Sequence, residues 1–203
     1  MVPRTGRLHA RLRETTRAAH ERLESALNLL MEPIPEARVV HLLERFYGFH
    51  AAWEPALEGV VPASLLRPRL KLPLLRHDLQ SLGLDAKRVD SLPACADAAI
   101  LCASEAAAAG ALYVLEGSTL GGRIIGRTLE AAHWYPAQRL LYWEPYGSDI
   151  GRRWSETLAY LDSLPPGKSD VIVQGAVATF DLLRAWLPHP PTEEICHDGV
   201  RTR

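Results

Sequence analysis

The chain has few of the features that mark secreted, membrane-spanning or metal-stapled proteins. Only three cysteines occur among its 203 residues, without a C-x-x-C pair, so neither a disulfide framework nor a structural zinc site is encoded. No apolar run approaches the roughly 20 residues of a transmembrane helix. The N-terminal segment also lacks the apolar core of a signal peptide. We therefore expect a cytoplasmic protein that does not bind a membrane.

An excess of charge of one sign is also missing. The 23 basic and 24 acidic side chains give a net charge of -1, and the basic residues are scattered, which argues against a nucleic-acid partner. With 47% hydrophobic residues, the chain is long enough to bury a substantial core. We predict one globular domain over residues 1–188, followed by a polar, proline-containing tail over residues 189–203 that is expected to be disordered.

Helical periodicity dominates the pattern of apolar residues. Residues 7–30, for example, carry leucine and alanine at steps of three and four, which is typical of an amphipathic helix. Further helices are predicted over about residues 36–59, 76–82, 94–132, 150–164 and 171–187. No alternating apolar run of strand length is convincing. The predicted fold class is therefore all-α, a single-domain helical bundle.

The stretch LYVLEGSTLGGRIIGRTLE places four glycines inside an apolar helical pattern. Each costs about 0.8 to 1 kcal/mol relative to alanine, or roughly 3 to 4 kcal/mol together. Gly117 and Gly121 share one helical face, and Gly122 and Gly126 share another. The bare backbone allows either close helix packing or a kinked helix over a planar ligand. In the second case the Ser118 hydroxyl could hold water near that ligand.

A candidate anchor for a planar ligand lies near the N-terminus, in TTRAAHERLESAL. His20 and Glu24 are four residues apart, the spacing at which a carboxylate can accept a hydrogen bond from the imidazole and leave the other ring nitrogen for a metal. Arg13 lies about two turns earlier on a similar face, where it could meet an acidic group at the ligand's edge. Taken alone, this pattern also fits an ordinary histidine.

Together, the segments LRETTRAAHERLE, ALYVLEGSTLGGR and ATFDLLRAWL resemble the biliverdin-producing heme oxygenases, in particular the bacterial branch associated with phytochromes. The similarity extends to about Leu187. It implies the helical fold of that family, with heme between the first helix and a glycine-kinked distal helix. The longest shared motif, LEGS-x-LGG, is the most specific of the three.

The resemblance also implies roles for residues around the heme. His20 matches the histidine that ligates the iron, and Glu24 matches the carboxylate that supports it. Arg13 and Tyr113 match groups that bind the heme propionates. Phe180 matches an aromatic residue that packs along the heme.

On the distal side, Gly117, Gly121 and Gly122 match the glycines of the helix that covers the heme. Animal members have an aspartate where this chain has Ser118, so the distal water network must be built differently here, with His50 as one candidate member. Gly117, Ser118 and Gly121 are the residues that the resemblance assigns to catalysis.

The implied activity consumes heme b as both cofactor and substrate, with O2 and electrons from an external reductase or ferredoxin. Its implied products are biliverdin, expected as the α isomer, carbon monoxide and ferrous iron. A bacterial phytochrome could receive the biliverdin, and iron acquisition is another possible context. Two alternatives remain at this point: a heme carrier or sensor without turnover, and a helical interaction module that binds no heme.

Overall fold

The computed structural model describes residues 4–29 and 34–188, which form α-helices and short 3₁₀ helices joined by loops. The α-helices are α1 (Arg4–Leu27), α2 (Glu36–Ala56), α3 (Ala63–Leu66), α4 (Leu72–Ser81), α5 (Ala86–Asp90), α6 (Glu105–Glu130), α7 (Ile150–Ser163) and α8 (Ser169–Trp186). Short 3₁₀ helices cover Arg67–Arg69, Ala96–Cys102, Gly147–Asp149 and Pro166–Lys168. The all-α prediction is confirmed for the described residues. The predicted tail, 189–203, lies outside them.

Helix ends depart from the sequence prediction where local backbone chemistry intervenes. α1 stops at Leu27 because Asn28 adopts a left-handed backbone conformation with φ of 45°, which ends a helix. α4 begins at Leu72, four residues before the predicted start. Pro73 occupies its first turn, where a missing N–H costs nothing.

The predicted continuous helix from residue 94 to residue 132 is wrong. The structure has a 3₁₀ helix up to Cys102, and α6 starts afresh at Glu105. The Ser104 hydroxyl accepts a hydrogen bond from the backbone N–H of Ala107 at 3.2 Å and so caps the new helix. From there α6 remains helical through its glycines to Glu130.

Helix α6 packs along α8, and α8 also packs against α1. The first of these contacts is made by backbone rather than by side chains. A Cβ atom on Gly110 would lie 2.1 Å from the carbonyl oxygen of Ile172, and one on Gly175 would lie 2.4 Å from that of Ala107. Only glycine permits such an approach, so these two positions set the distance between α6 and α8.

Within the described ranges, no individual helix combines the length and the apolar character needed to cross a membrane. The 3₁₀ helix Ala96–Cys102 and α6 meet that test only as a pair, with a bend of 118° between them.

We predict that Gly110→Ala lowers the free energy of unfolding by roughly 1 to 3 kcal/mol, because the methyl group forces α6 away from α8. Gly151→Ala is the matched control, since a Cβ there would meet nothing within 4 Å. It should be neutral or stabilising by up to about 1 kcal/mol. Urea unfolding of both variants measures the difference. Equal stabilities would contradict the close contact.

Candidate functional site

The two halves of α6 differ sharply in exposure. Residues 108–116 are all buried. Beyond them, one face of the helix opens to solvent and carries apolar side chains, with Leu120 44% and Ile124 60% exposed. Gly121 lies on this same face, and a Cβ added to it would meet nothing within 4 Å. The result is an exposed strip on α6 in which bare backbone lies between two aliphatic side chains.

The four glycines of this half therefore serve different purposes. A Cβ on Gly122 would lie 2.5 Å from the carbonyl oxygen of Trp143, and one on Gly126 would lie 3.4 Å from Cβ of the same tryptophan. Gly122 thus packs against the backbone of Trp143, and its role in cofactor binding stays a prediction. A Cβ on Gly117 would lie 3.5 Å from Cη2 of the Trp154 indole. Gly121 alone is left without a packing explanation.

Helix α1 places His20 beside Glu24, as the four-residue spacing predicts. Nδ1 of His20 lies 3.4 Å from Oε2 of Glu24, and the histidine side chain is 52% exposed. Its ring also meets the buried Phe180 of α8 edge to face, with centroids 5.7 Å apart. Two contacts therefore restrain the imidazole, and its Nε2 is the nitrogen that a ligand can use.

Tyr113 lies where α1, α6 and α7 meet. Its ring contacts His9 at 5.9 Å and Trp154 at 5.4 Å between centroids. Burial raises the pKa of the Tyr113 hydroxyl, and the positive charge of Arg13 partly offsets that rise. Tyr113 is therefore a hydrogen-bond donor at neutral pH, and Arg13 is close enough for its charge to be felt there.

Ser118 and His50, the polar groups expected in a water network, each have a protein partner in the structure. The exposed Ser118 hydroxyl donates a hydrogen bond to the carbonyl oxygen of Leu115 at 2.8 Å, so only its lone pairs are left to accept from water. His50 lies in the core, with Nδ1 3.0 Å from Glu54. It is not part of the exposed face of α6.

The contact between His9 and Tyr113 gives a common reference point from which positions along α1 and α6 can be measured. Along α1, His20 follows His9 by 11 residues, a rise of about 16 Å. Along α6, Gly121 follows Tyr113 by 8 residues, a rise of about 12 Å. His20 and Gly121 therefore each lie more than two helical turns beyond the contact between His9 and Tyr113.

A cluster of buried charges adjoins the glycine segment and was missed from the sequence. The Glu116 carboxylate lies 3.2 Å from Nζ of Lys71 and 3.2 Å from Nε of Arg69. The Tyr146 hydroxyl donates to it at 2.8 Å. These residues come from three parts of the chain, since Arg69 and Lys71 are only two residues apart, and Glu116 directly precedes Gly117. A lone acidic residue within the apolar run LYVLEG was the available signal.

Burial governs the electrostatics of this cluster. It lowers the pKa of Lys71, against the opposing effect of the Glu116 charge. It also raises the pKa of Tyr146, to which Glu116 contributes further, so the phenol stays protonated. Arg69 extends the cluster outwards through Glu156, whose carboxylate lies 3.1 Å away. Each charge depends on its partners because water cannot replace them.

We predict that Glu116→Gln lowers the free energy of unfolding by roughly 3 kcal/mol, because it leaves buried cations without their counter-charge. Without Glu116 the pKa of Lys71 falls further below 10.5, the ordinary value for lysine. Between the two pKa values the unfolded chain binds more protons at Lys71 than the folded chain does. The stability lost in Glu116→Gln should therefore shrink as the pH rises toward 10.5. Glu156→Gln, at the exposed end of the cluster, should cost much less, because water can replace the lost partner. A loss of stability that does not change with pH would contradict the proposed effect of Glu116 on the pKa of Lys71.

Comparisons with known proteins show which family this chain resembles. A family model described as heme oxygenase matches residues 6–189. A heme oxygenase of Xanthomonas campestris pv. campestris (strain 8004) is 37% identical over 114 residues, which are 55% of this chain and 64% of that relative. The alignment therefore spans less than two thirds of the relative's length.

The structure of heme oxygenase from Leptospira interrogans superposes with a TM-score of 0.73, covering 89% of this chain and 98% of that chain at 22% identity. Likeness at this level of identity establishes the fold. The family match, in contrast, extends over nearly the whole sequence. On that basis, the chain belongs to the heme oxygenase family.

Proposed function

We propose that this protein binds heme between α1 and the exposed face of α6 and opens it oxidatively to biliverdin, carbon monoxide and ferrous iron. The observation that carries the proposal is the open backbone at Gly121, flanked by the exposed side chains of Leu120 and Ile124. Family membership and the name of the Xanthomonas relative support it.

The residues present fit a heme. Its faces are planar and apolar, which suits a strip where bare backbone lies between two aliphatic side chains. Its iron prefers an imidazole nitrogen, and His20 offers one in a half-exposed position with the ring already restrained. Its acidic edge requires cations and hydrogen-bond donors, which Arg13 and Tyr113 supply.

When bound, heme supplies both the iron at which O2 is reduced and the carbon that is oxidised. The protein itself would bind the heme, orient it and exclude water from it. His20 would hold the iron through Nε2, while Glu24 keeps the ring oriented through Nδ1. On the other face, Gly121 would present only backbone to the heme, while Gly117 lies against the indole of Trp154. The Ser118 oxygen could accept a hydrogen bond from water there.

We propose that Arg13 and Tyr113 seat the propionate edge at the junction of α1, α6 and α7 and so favour the α isomer of biliverdin. The electrons would come from an external reductase or ferredoxin in the cytoplasm. The LEGS-x-LGG segment also favours the phytochrome-associated branch, in which a bacterial phytochrome would take up the product.

The proposal is tested by titrating the protein with hemin and adding a reductant in air, with catalase present. We expect a Soret band that then decays as biliverdin absorption grows, and mainly the α isomer on chromatography. His20→Ala should lose the iron ligand and most of the turnover while the helical circular dichroism is kept. His133→Ala, an exposed histidine, is the control.

A Soret band that forms and persists would contradict turnover and leave a heme carrier or sensor. The lack of any band would leave a helical module that binds no heme. A product consisting mainly of β and δ isomers would contradict the seating by Arg13 and Tyr113.

We also predict that Gly121→Leu slows heme degradation by at least tenfold, because its side chain enters the space that the heme requires. The fold should survive, since nothing lies within 4 Å of that Cβ and leucine favours the helix by about 0.8 kcal/mol. Gly151→Leu, at another open glycine, is the matched control. Steady-state turnover and thermal unfolding measure the two effects, and wild-type turnover in Gly121→Leu would refute the contact.

A further inference from the structure

The open strip on α6 is bounded at one end by a residue that neither the sequence nor the comparisons single out. A Cβ on Gly117 would lie 3.5 Å from Cη2 and 3.6 Å from Cζ3 of Trp154, in ordinary van der Waals contact. Four residues further along the same face, Gly121 has nothing in front of it. The indole of Trp154 therefore covers the first glycine and leaves the second open.

Trp154 is held in this position by aromatic rings from two other helices. Its ring lies 5.4 Å from that of Tyr113 in α6 and 5.8 Å from that of His9 in α1, measured between centroids. His9 and Tyr113 also contact each other at 5.9 Å. Three rings, one from each of α1, α6 and α7, thus form a wall at the Gly117 end of the strip.

The wall stands at the same end as the groups proposed to bind the acidic edge of the ligand. Tyr113 is one of its three rings, and the charge of Arg13 acts on that tyrosine. A planar macrocycle on the strip would therefore have its propionate edge and the Trp154 indole near one another. How far it can move toward α7 would depend on the size of the side chain at position 154.

We propose that Trp154 determines the regiochemistry of heme opening, an inference that rests on the proposed function. Its indole bounds the Gly117 end of the strip and would stop a bound macrocycle at one depth, so that a single meso edge would lie at Gly121. A smaller side chain lets the macrocycle shift or rotate, and another meso carbon then takes that place. Trp154 acts through position, since none of its atoms takes part in bond making.

The test compares the wild type with Trp154→Phe, Trp154→Leu and Trp154→Ala. Each protein is loaded with hemin, supplied with reductant and O2, and its extracted pigment is separated into biliverdin isomers. We expect the ratio of minor to major isomers to rise at least tenfold in Trp154→Ala and less in Trp154→Leu. Trp154→Phe should stay within twofold of the wild type because it keeps a ring against Gly117.

Trp134→Phe is the matched control, since Trp134 is also half-buried but hydrogen-bonds to the carbonyl oxygen of Ile34 and touches neither Gly117 nor Tyr113. Its isomer ratio should equal that of the wild type. Thermal unfolding identifies any variant that has lost its fold. If Trp154→Ala has lost its fold, the isomer ratio of Trp154→Leu decides the outcome.

An unchanged isomer ratio in folded Trp154→Leu and Trp154→Ala overturns the inference, whatever their turnover, because a merely structural residue would lower yield without changing the product. A wild type that does not convert hemin at all would instead refute the proposed function. The two failures are therefore distinguished by the wild-type reaction alone.

Discussion

Direct backbone contact between α6 and α8 is the constraint on which the candidate site depends. Gly110 and Gly175 allow the two helices to approach more closely than any side chain would permit, and the buried half of α6 is held by that contact. α6 continues without a break to Glu130, and its second half also packs against Trp143 at Gly122 and Gly126. Gly121 can thus present open backbone while the helix keeps its place.

The buried charges around Glu116 add a second restraint next to the site. An apolar contact tolerates small rotations of a helix, whereas a carboxylate that meets Lys71, Arg69 and Tyr146 does so in only one orientation. Such a cluster contributes little net stability compared with apolar packing. Its position, one residue before Gly117, makes orientation of the glycine face its most direct effect.

The glycines of α6 show how one residue type can meet two physical demands in a single helix. Gly122 and Gly126 make room for the segment that carries Trp143, so their cost to helix stability is offset by packing. Gly121 has no such compensation within the protein. A ligand that occupies the open face would supply it, which is why this position rather than the glycine count links the fold to heme.

The sequence by itself determined what depends on neighbours along the chain. Periodicity indicated the helices, and the four-residue spacing of His20 and Glu24 placed their side chains together, since both effects arise within one or two helical turns. Only the tertiary structure decided which glycine packs against protein and which stays open. It also assembled the Glu116 cluster and the wall at Trp154. These depend on contacts between residues distant in sequence, which local patterns do not encode.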